Sequence, residues 1–261
     1  MTDQIRFVDG AGYERYMGRW SQLAGATFLD WLDPKAGLRW LDIGCGNGAF
    51  TEMFAERCAP DSVHGIDPSE EPLAFARTRP ALLGAQCRQG DAIALPFPDS
   101  TFDVAVMPLV IFFVPDPATG VAEMARVVCA GGTVTAYAWD MAGGGFPYAA
   151  LQSEMRTMGM TVPSAPNPDA SRLDALESLW TGAGLEAVDT REIGVQRTFA
   201  DFDDYWATIL MAPSMGPKLA AMAADEVADL KARMRSYLPA DAAGRITCSA
   251  SANAVRGRVP N

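Results

Sequence analysis

Short apolar runs and helical stripes alternate along the first half of the chain. Leu38, Trp40, Leu41 and Ile43 form the run expected of a strand buried on both faces, and Phe50, Met53, Phe54 and Arg57 follow at helical spacing. Residues 62–66 (SVHGI) make a second short apolar strand, ending at Asp67 and stopped by Pro68. A third candidate strand precedes Asp91, a fourth ends at Met107 and a fifth spans residues 133–139. Ahead of them, Tyr13, Tyr16, Met17 and Trp20 lead into a helix capped by Ser21 and ended near Pro34, with Ala24, Phe28, Trp31 and Leu32 as its buried stripe. Beyond residue 140 the pattern predicts helices over 149–158 and 174–183, with the proline-rich loop VPSAPNPDAS between them, and a strand over 186–195. Phe199, Phe202, Tyr205, Trp206, Ile209 and Leu210 then recur at helical spacing. An Ala-rich helix over 217–238 and a last strand over 245–255 complete the chain.

The first strand and helix are joined by LDIGCGNGAF, with glycines at 44, 46 and 48. Without a β-carbon these residues take left-handed angles and let the backbone lie against a ligand, with the free N–H groups of the next helix's first turn pointing at it. A carboxylate or phosphate suits those donors. Asp67, an acid at the end of the following strand, is placed to accept both hydroxyls of a ribose. That much also fits a nicotinamide-dependent dehydrogenase. The spacing, however, is GxGxG rather than GxGxxG, and a further acid, Asp91, follows the third strand, where its carboxylate and the Ala92 N–H can read an adenine edge.

With these residues in place the chain resembles the class I S-adenosylmethionine-dependent methyltransferases, in particular the group similar to the ubiquinone and menaquinone biosynthesis enzymes. LDIGCGNG looks like that family's first motif, GIDPS like its ribose-binding strand end, GDAIALPFPDSTFDVAV like its adenine-binding acid and fourth strand, and EMARVVCAGGTVTAYAWD like its fifth strand; together they cover residues 38–140. The resemblance implies a Rossmann-like, doubly wound α/β fold with a seven-stranded sheet, mostly parallel with one antiparallel strand, and helical insertions forming a substrate cap. It also implies roles. Gly44, Cys45, Gly46 and Asn47 would line the methionine part of S-adenosylmethionine, Asp42 would hold its amino group directly or through water, and Asp67 with Pro68 would take the ribose. Asp91 and Ala92 would bracket the adenine, and Met107 would sit near the sulfonium. Relatives often carry a polar pair where this chain has Met107 and Pro108, which suggests a more apolar substrate side here; Pro108 also has no N–H to donate.

Length and composition agree. A chain of 261 residues with 49% hydrophobic content suffices for one α/β domain with a sizeable core. Within that domain, residues 1–36 are expected to be an N-terminal lid and helix, 37–140 the cofactor-binding core, and 141–182 and 199–243 substrate-side insertions. A net charge of −11, from 32 acids against 21 bases without a basic cluster, argues against nucleic acid and for a small-molecule substrate. The five cysteines are scattered with no CxxC, which points to reduced thiols in a cytosolic protein and, with a single histidine, to no metal. That histidine, His64, lies within an apolar strand and reads as a core residue. The start of the chain shows no apolar signal core, and the longest apolar run, 104–114, is too short to span a bilayer, so the expected location is cytoplasmic without stable membrane insertion. Nothing in the sequence indicates a homo-oligomer.

A sulfonium methyl is already activated, so such an enzyme needs chiefly to align an acceptor and exclude water. The sequence offers no Ser/His/Asp or cysteine-based grouping, and no catalytic base is assigned; Asp140 and Tyr16 are the nearest candidates. Tyr16, Trp20, Pro108 and Trp139 are the candidate substrate contacts. The expected function is methyl transfer to an oxygen, nitrogen, sulfur or carbon atom of a small, moderately apolar molecule. The alternatives are an NAD(P)-dependent oxidoreductase and a cofactor-binding protein without transfer activity.

Overall fold

A computed structural model describes residues 14–162, 164–213 and 215–261; Tyr13 lies outside the described residues. A π-helical turn, Glu14–Gly18, runs into α1 (Arg19–Leu32), so Ser21 sits inside the helix rather than capping it. There follow β1 (Arg39–Ile43), α2 (Ala49–Cys58), β2 (Ser62–Asp67), α3 (Glu70–Ala76), β3 (Gln86–Gln89) and β4 (Phe102–Pro108). Next come α4 (Pro117–Val127), β5 (Val128–Trp139), α5 (Ala149–Thr157), α6 (Leu173–Gly182) and β6 (Glu186–Phe199). The order ends with α7 (Phe202–Leu210), α8 (Gly216–Ala220), α9 (Ala224–Tyr237) and β7 (Ile246–Arg258).

The strands form one seven-stranded sheet in the order β3-β2-β1-β4-β5-β7-β6. The pairs β1–β2, β1–β4, β2–β3 and β4–β5 are parallel, and β7 runs antiparallel to β5 with Ala138 opposite Asn253. Strand order reverses between β1 and β4, the point at which open α/β sheets bind ligands beyond their carboxyl ends. The mostly parallel sheet expected from the motifs is therefore present, with its switch point beside the glycine turn.

The described chain divides into two compact units. The larger comprises residues 24–143, 165–193 and 252–261. Its core is aromatic: Trp40 stacks on Phe54 at 4.6 Å, and Phe28 and Phe50 pack around Tyr137 at 4.6 and 5.4 Å. On the sheet, Trp180 of α6 is fully buried and its indole N–H donates to the Val134 carbonyl at 2.9 Å. Asn253 donates to the Ser171 carbonyl at 2.9 Å, tying β7 to the turn before α6.

The smaller unit comprises residues up to 23, 144–164 and 194–251. The first expected insertion is thus divided between the units, because α6 buries its apolar face on the sheet while α5 packs with α9. Tyr148 organises the small unit. It stacks on Tyr16 at 4.5 Å, accepts from the Trp20 indole at 3.2 Å and donates to the Tyr16 carbonyl at 2.9 Å. Arg197 lies over Phe199 at 4.4 Å and donates to the carbonyls of Arg15 and Tyr16. On its other side, Glu154 of α5 accepts from Tyr237 and Arg233 of α9 at 3.0 and 3.4 Å.

Strand β5 starts at Val128, five residues before the expected 133, and three elements after it also differ from expectation. The helix expected over 217–238 is broken: Ala223 is extended and its N–H donates to Glu226 Oε2 at 3.1 Å, which starts a new helix and overrides the propensity of the alanines. Strand β6 continues past 195 because polar pairs, Gln196 with Ser249 and Thr198 with Thr247, extend its ladder to β7. Strand β7 runs on to Arg258, with Arg256 over the Trp31 ring at 4.5 Å and paired with Asp189.

Trp180→Ala removes a large buried ring and leaves the Val134 carbonyl without its donor, so it is expected to cost about 3–5 kcal/mol of stability in urea unfolding followed by circular dichroism. A loss below about 1 kcal/mol would show that α6 is not held to the sheet through this residue.

Candidate functional site

The carboxyl ends of β1, β2 and β3 lie side by side, since Ile43 is opposite Ile66 and Asp67 opposite Gln89. The chain leaves β1 through Gly44, Gly46 and Gly48, all left-handed with φ of 75°, 51° and 78°. These angles aim the Gly44 and Cys45 N–H groups at a single acceptor, the Ile66 carbonyl, at 2.8 and 2.9 Å. At Gly44 a β-carbon would come within 2.5 Å of the Val110 side chain, so glycine is required both by angle and by space. Around Gly46 the backbone is open: the nearest atom to a β-carbon built there is Asp67 Oδ2, at 3.9 Å.

Asp67 spans this opening. Its Oδ2 accepts from the Gly46 N–H at 3.0 Å and its Oδ1 from the Ser69 N–H at 2.9 Å. Partial burial raises its pKa and the two amides oppose that rise. Each carboxylate oxygen keeps a free lone pair, so both remain able to accept a diol. Pro68 follows, exposed, with its carbonyl accepting from Gln89 Nε2 at 2.7 Å. Asn47 closes the turn: its Oδ1 accepts from the Ala49 N–H at 3.2 Å and its carbonyl from Arg79 Nε at 2.6 Å. Asp91, exposed after β3, accepts from the Ile93 N–H at 3.2 Å in a small turn that carries Ala92.

Asp42 is sealed beneath the turn. It is fully buried, its Oδ2 accepts from the Thr51 hydroxyl at 2.6 Å, and its Oδ1 has no partner. Burial pushes its pKa up to about 7 against the opposing pull of Thr51. A buried carboxyl oxygen without a donor is an incomplete arrangement, and it lies in the residue expected to answer the cofactor's ammonium. Together with the open backbone at Gly46 and the two-oxygen face of Asp67, these features fit the methionine and ribose portions of S-adenosylmethionine.

The remaining candidates lie on other elements. Met107 is fully buried in β4, its methyl 3.8 Å from the point where a β-carbon on Gly120 of α4 would lie. Pro108 ends β4 and Trp139 ends β5, both buried. Asp140 accepts from the Gly143 N–H at 2.9 Å and so shapes its own loop. Tyr16 and Trp20 belong to the small unit, bonded to Tyr148 as described.

Three further residues that shape the edge carry no periodic or motif signal. Leu109, just past β4, is left-handed at φ 60°, a conformation uncommon outside glycine, and its N–H donates to the Tyr137 carbonyl at 2.6 Å. Val110 lies against Gly44. Arg79 grips the Asn47 carbonyl while paired with Glu52 of α2, so it pins the turn from the outside. Among the described residues no group of three or more His, Cys, Asp or Glu side chains is arranged to hold a metal ion, and no helix is long and apolar enough to cross a membrane.

Residues 41–136 match the family described as Methyltransferase domain. Over 102 residues the chain is 42% identical to phosphatidylethanolamine N-methyltransferase of Cereibacter sphaeroides, covering 38% of this chain and 49% of that protein. Over 113 residues it is 40% identical to ubiquinone biosynthesis O-methyltransferase of Pseudomonas aeruginosa, covering 41% of this chain and 47% of that one. The chain therefore spans about half the length of these curated relatives. Its fold is similar to that of phosphoethanolamine N-methyltransferase 2 of Haemonchus contortus solved with S-adenosylmethionine, at TM-score 0.59 and 18% identity over 96% of this chain and 56% of that one. Residues 41–136 are thus similar to a methyltransferase domain, in the segment where the motifs lie, and the fold is similar to that of a solved S-adenosylmethionine-binding methyltransferase.

The high pKa of Asp42 has a consequence for stability. The folded chain keeps this proton up to about pH 7, whereas an unfolded aspartate releases it near about pH 4. Between those values the folded state binds the extra proton, so this contribution to stability is complete below about pH 4 and is lost as pH rises to about 7. The unfolding free energy of the wild type, measured relative to Asp42→Asn, should fall over that window by up to about 1.4 kcal/mol per pH unit and then level off. A difference independent of pH would contradict the assignment.

Proposed function

We propose that this chain transfers the methyl group of S-adenosylmethionine to a small, moderately apolar acceptor by in-line displacement at the sulfonium. The observation that carries this reading is Asp67, held by the Gly46 and Ser69 amides so that its carboxylate faces the open glycine turn. The cofactor, when bound, supplies an activated methyl group. What the chain supplies is position: Asp67 orients the ribose, Asp91 and the Ala92 amide the adenine, and the buried Asp42 the charged end of the methionine portion.

The apolar character of the acceptor is supported by what lies past β4. Pro108, Leu109 and Val110 succeed the buried Met107, and Phe113, in the turn Ile111–Phe113, is 44% exposed. Of the relatives above, one is named for phosphatidylethanolamine, a lipid, and one for ubiquinone biosynthesis. Such a surface excludes water from the sulfonium, and alignment alone supplies on the order of 7 to 11 kcal/mol of the barrier reduction. No base is assigned: Asp140 accepts the Gly143 amide and shapes its own loop, and Asp67 faces the ribose position rather than the sulfonium. The acceptor is therefore one whose nucleophilic atom is reactive without a strong base, or is deprotonated in solution.

Calorimetric titration should show S-adenosylhomocysteine binding and no binding of NADH. Asp67→Ala and Asp91→Ala should each weaken that affinity by about tenfold or more, the scale of a lost charge-assisted hydrogen bond. Unchanged affinity in both variants, or preference for NADH, would overturn the reading.

A further inference from the structure

The glycine turn is joined to the edge of the sheet by a second contact, through sulfur. Cys45 lies between the left-handed Gly44 and Gly46, and Cys87 lies on β3, where its backbone pairs with Gly65 of β2. Because Gly65 has no side chain, both sulfurs occupy the space above it. A β-carbon built on Gly65 would lie 2.8 Å from Cys45 Sγ and 3.4 Å from Cys87 Sγ. The two thiols share a hydrogen bond and are packed with Leu73 and Ala76 of α3. Cys45 is the donor, which raises its own pKa, and this hydrogen bond together with the Arg77 guanidinium holds the Cys87 thiol down at about 7. Arg77 also donates to the Cys87 carbonyl at 2.9 Å, which fixes that residue on its strand.

We infer that Cys45 and Cys87 form a redox modification site: a hydroperoxide closes the pair to a disulfide, and that bond draws the glycine turn out of its binding shape. The effect on cofactor binding rests on the methyltransferase reading; the bond itself does not. The Cys87 thiolate attacks one peroxide oxygen, forming an S–O bond as the O–O bond breaks, and the departing oxygen takes up a proton as water or an alcohol. Cys45 sulfur then attacks the Cys87 sulfenic acid, the S–S bond forms, the S–O bond breaks, and hydroxide leaves with the Cys45 proton as water. Two thiols are oxidised and one hydroperoxide is reduced. A disulfide holds its sulfurs at about 2 Å, well inside any thiol contact, so one side must move. Cys87 is held by strand pairing and Arg77, and Cys45 by the turn's own bonds, its N–H to the Ile66 carbonyl and its carbonyl from the Gly48 N–H, so closing the S–S bond pulls directly on the hydrogen bonds that shape the turn.

Full-length protein is treated with hydrogen peroxide, free thiols are alkylated, and peptides are mapped by mass; binding of S-adenosylhomocysteine is then titrated with and without dithiothreitol. The expected result is a Cys45–Cys87 cross-linked peptide, affinity lowered by about tenfold or more, and recovery on reduction. Cys87→Ser and Cys87→Ala should bind as the reduced wild type does and be unaffected by peroxide. Oxidation of the more accessible Cys129 with no cross-link at Cys45 overturns the proposal, as does a cross-link that leaves affinity unchanged. Failure of the reduced wild type to bind S-adenosylhomocysteine would instead overturn the cofactor reading, and the peptide map alone would then decide whether the thiols pair.

Discussion

Asp67 and the glycine turn fix one another. The strand β1 ends in a reversal that only residues free of a β-carbon can make, and the amides it turns outward are taken up by two acceptors at the end of β2, the Ile66 carbonyl and the Asp67 carboxylate. The second of these is charged, so the contact is stronger than an ordinary backbone bond and more directional. It sets the entry of α2, and with it the position of every group along the carboxyl edge. A side chain at Gly44 would meet Val110, and one at Gly48 would come within 2.7 Å of Leu82, so neighbouring elements are packed against the bare backbone as closely as the turn allows.

Electrostatics along this edge are graded by burial. Asp91 is exposed, Asp67 is partly buried and held by amides, and Asp42 is sealed with one oxygen unpartnered. A cation approaching from the open side meets Asp91 and Asp67 first, while the Oδ1 of Asp42 has no donor of its own and gains most from one. In the proposed function, the nucleoside and amino acid portions of the cofactor find their polar partners on one side of the switch point, and the acceptor meets the apolar β4 side. The same turn carries Cys45, so a change at the far side of Gly65 reaches the site through a single residue.

Much of this was legible in the sequence because its causes are local. Buried parallel strands need short apolar runs, left-handed turns need glycine, and a strand end needs an acid at one position, so β1 to β5, the turn, Asp67 and Asp91 stand out in one reading. What stayed hidden is set by contacts between distant residues. Thr198 and Thr247 lengthen β6 and β7 through polar pairs that no hydrophobic pattern reports. One hidden break is local: Glu226 caps the Ala223 N–H three residues back and interrupts a helix that the alanines favour. Arg79 acts on the turn from 32 residues away and Val110 from 66, and Leu109 adopts an angle its identity disfavours because the Tyr137 carbonyl captures its N–H. The meeting of Cys45 and Cys87 follows from strand register and from one glycine between them. The division of the first insertion between two units likewise turns on which helix finds the sheet.

The most direct test is a crystal structure of the chain with S-adenosylhomocysteine. The nucleoside is expected at the carboxyl edge of β1, β2 and β3, with both ribose hydroxyls on the Asp67 carboxylate and the methionine portion over Gly44 to Asn47. Density for the ligand at any other place, or a ribose turned away from Asp67, would contradict it.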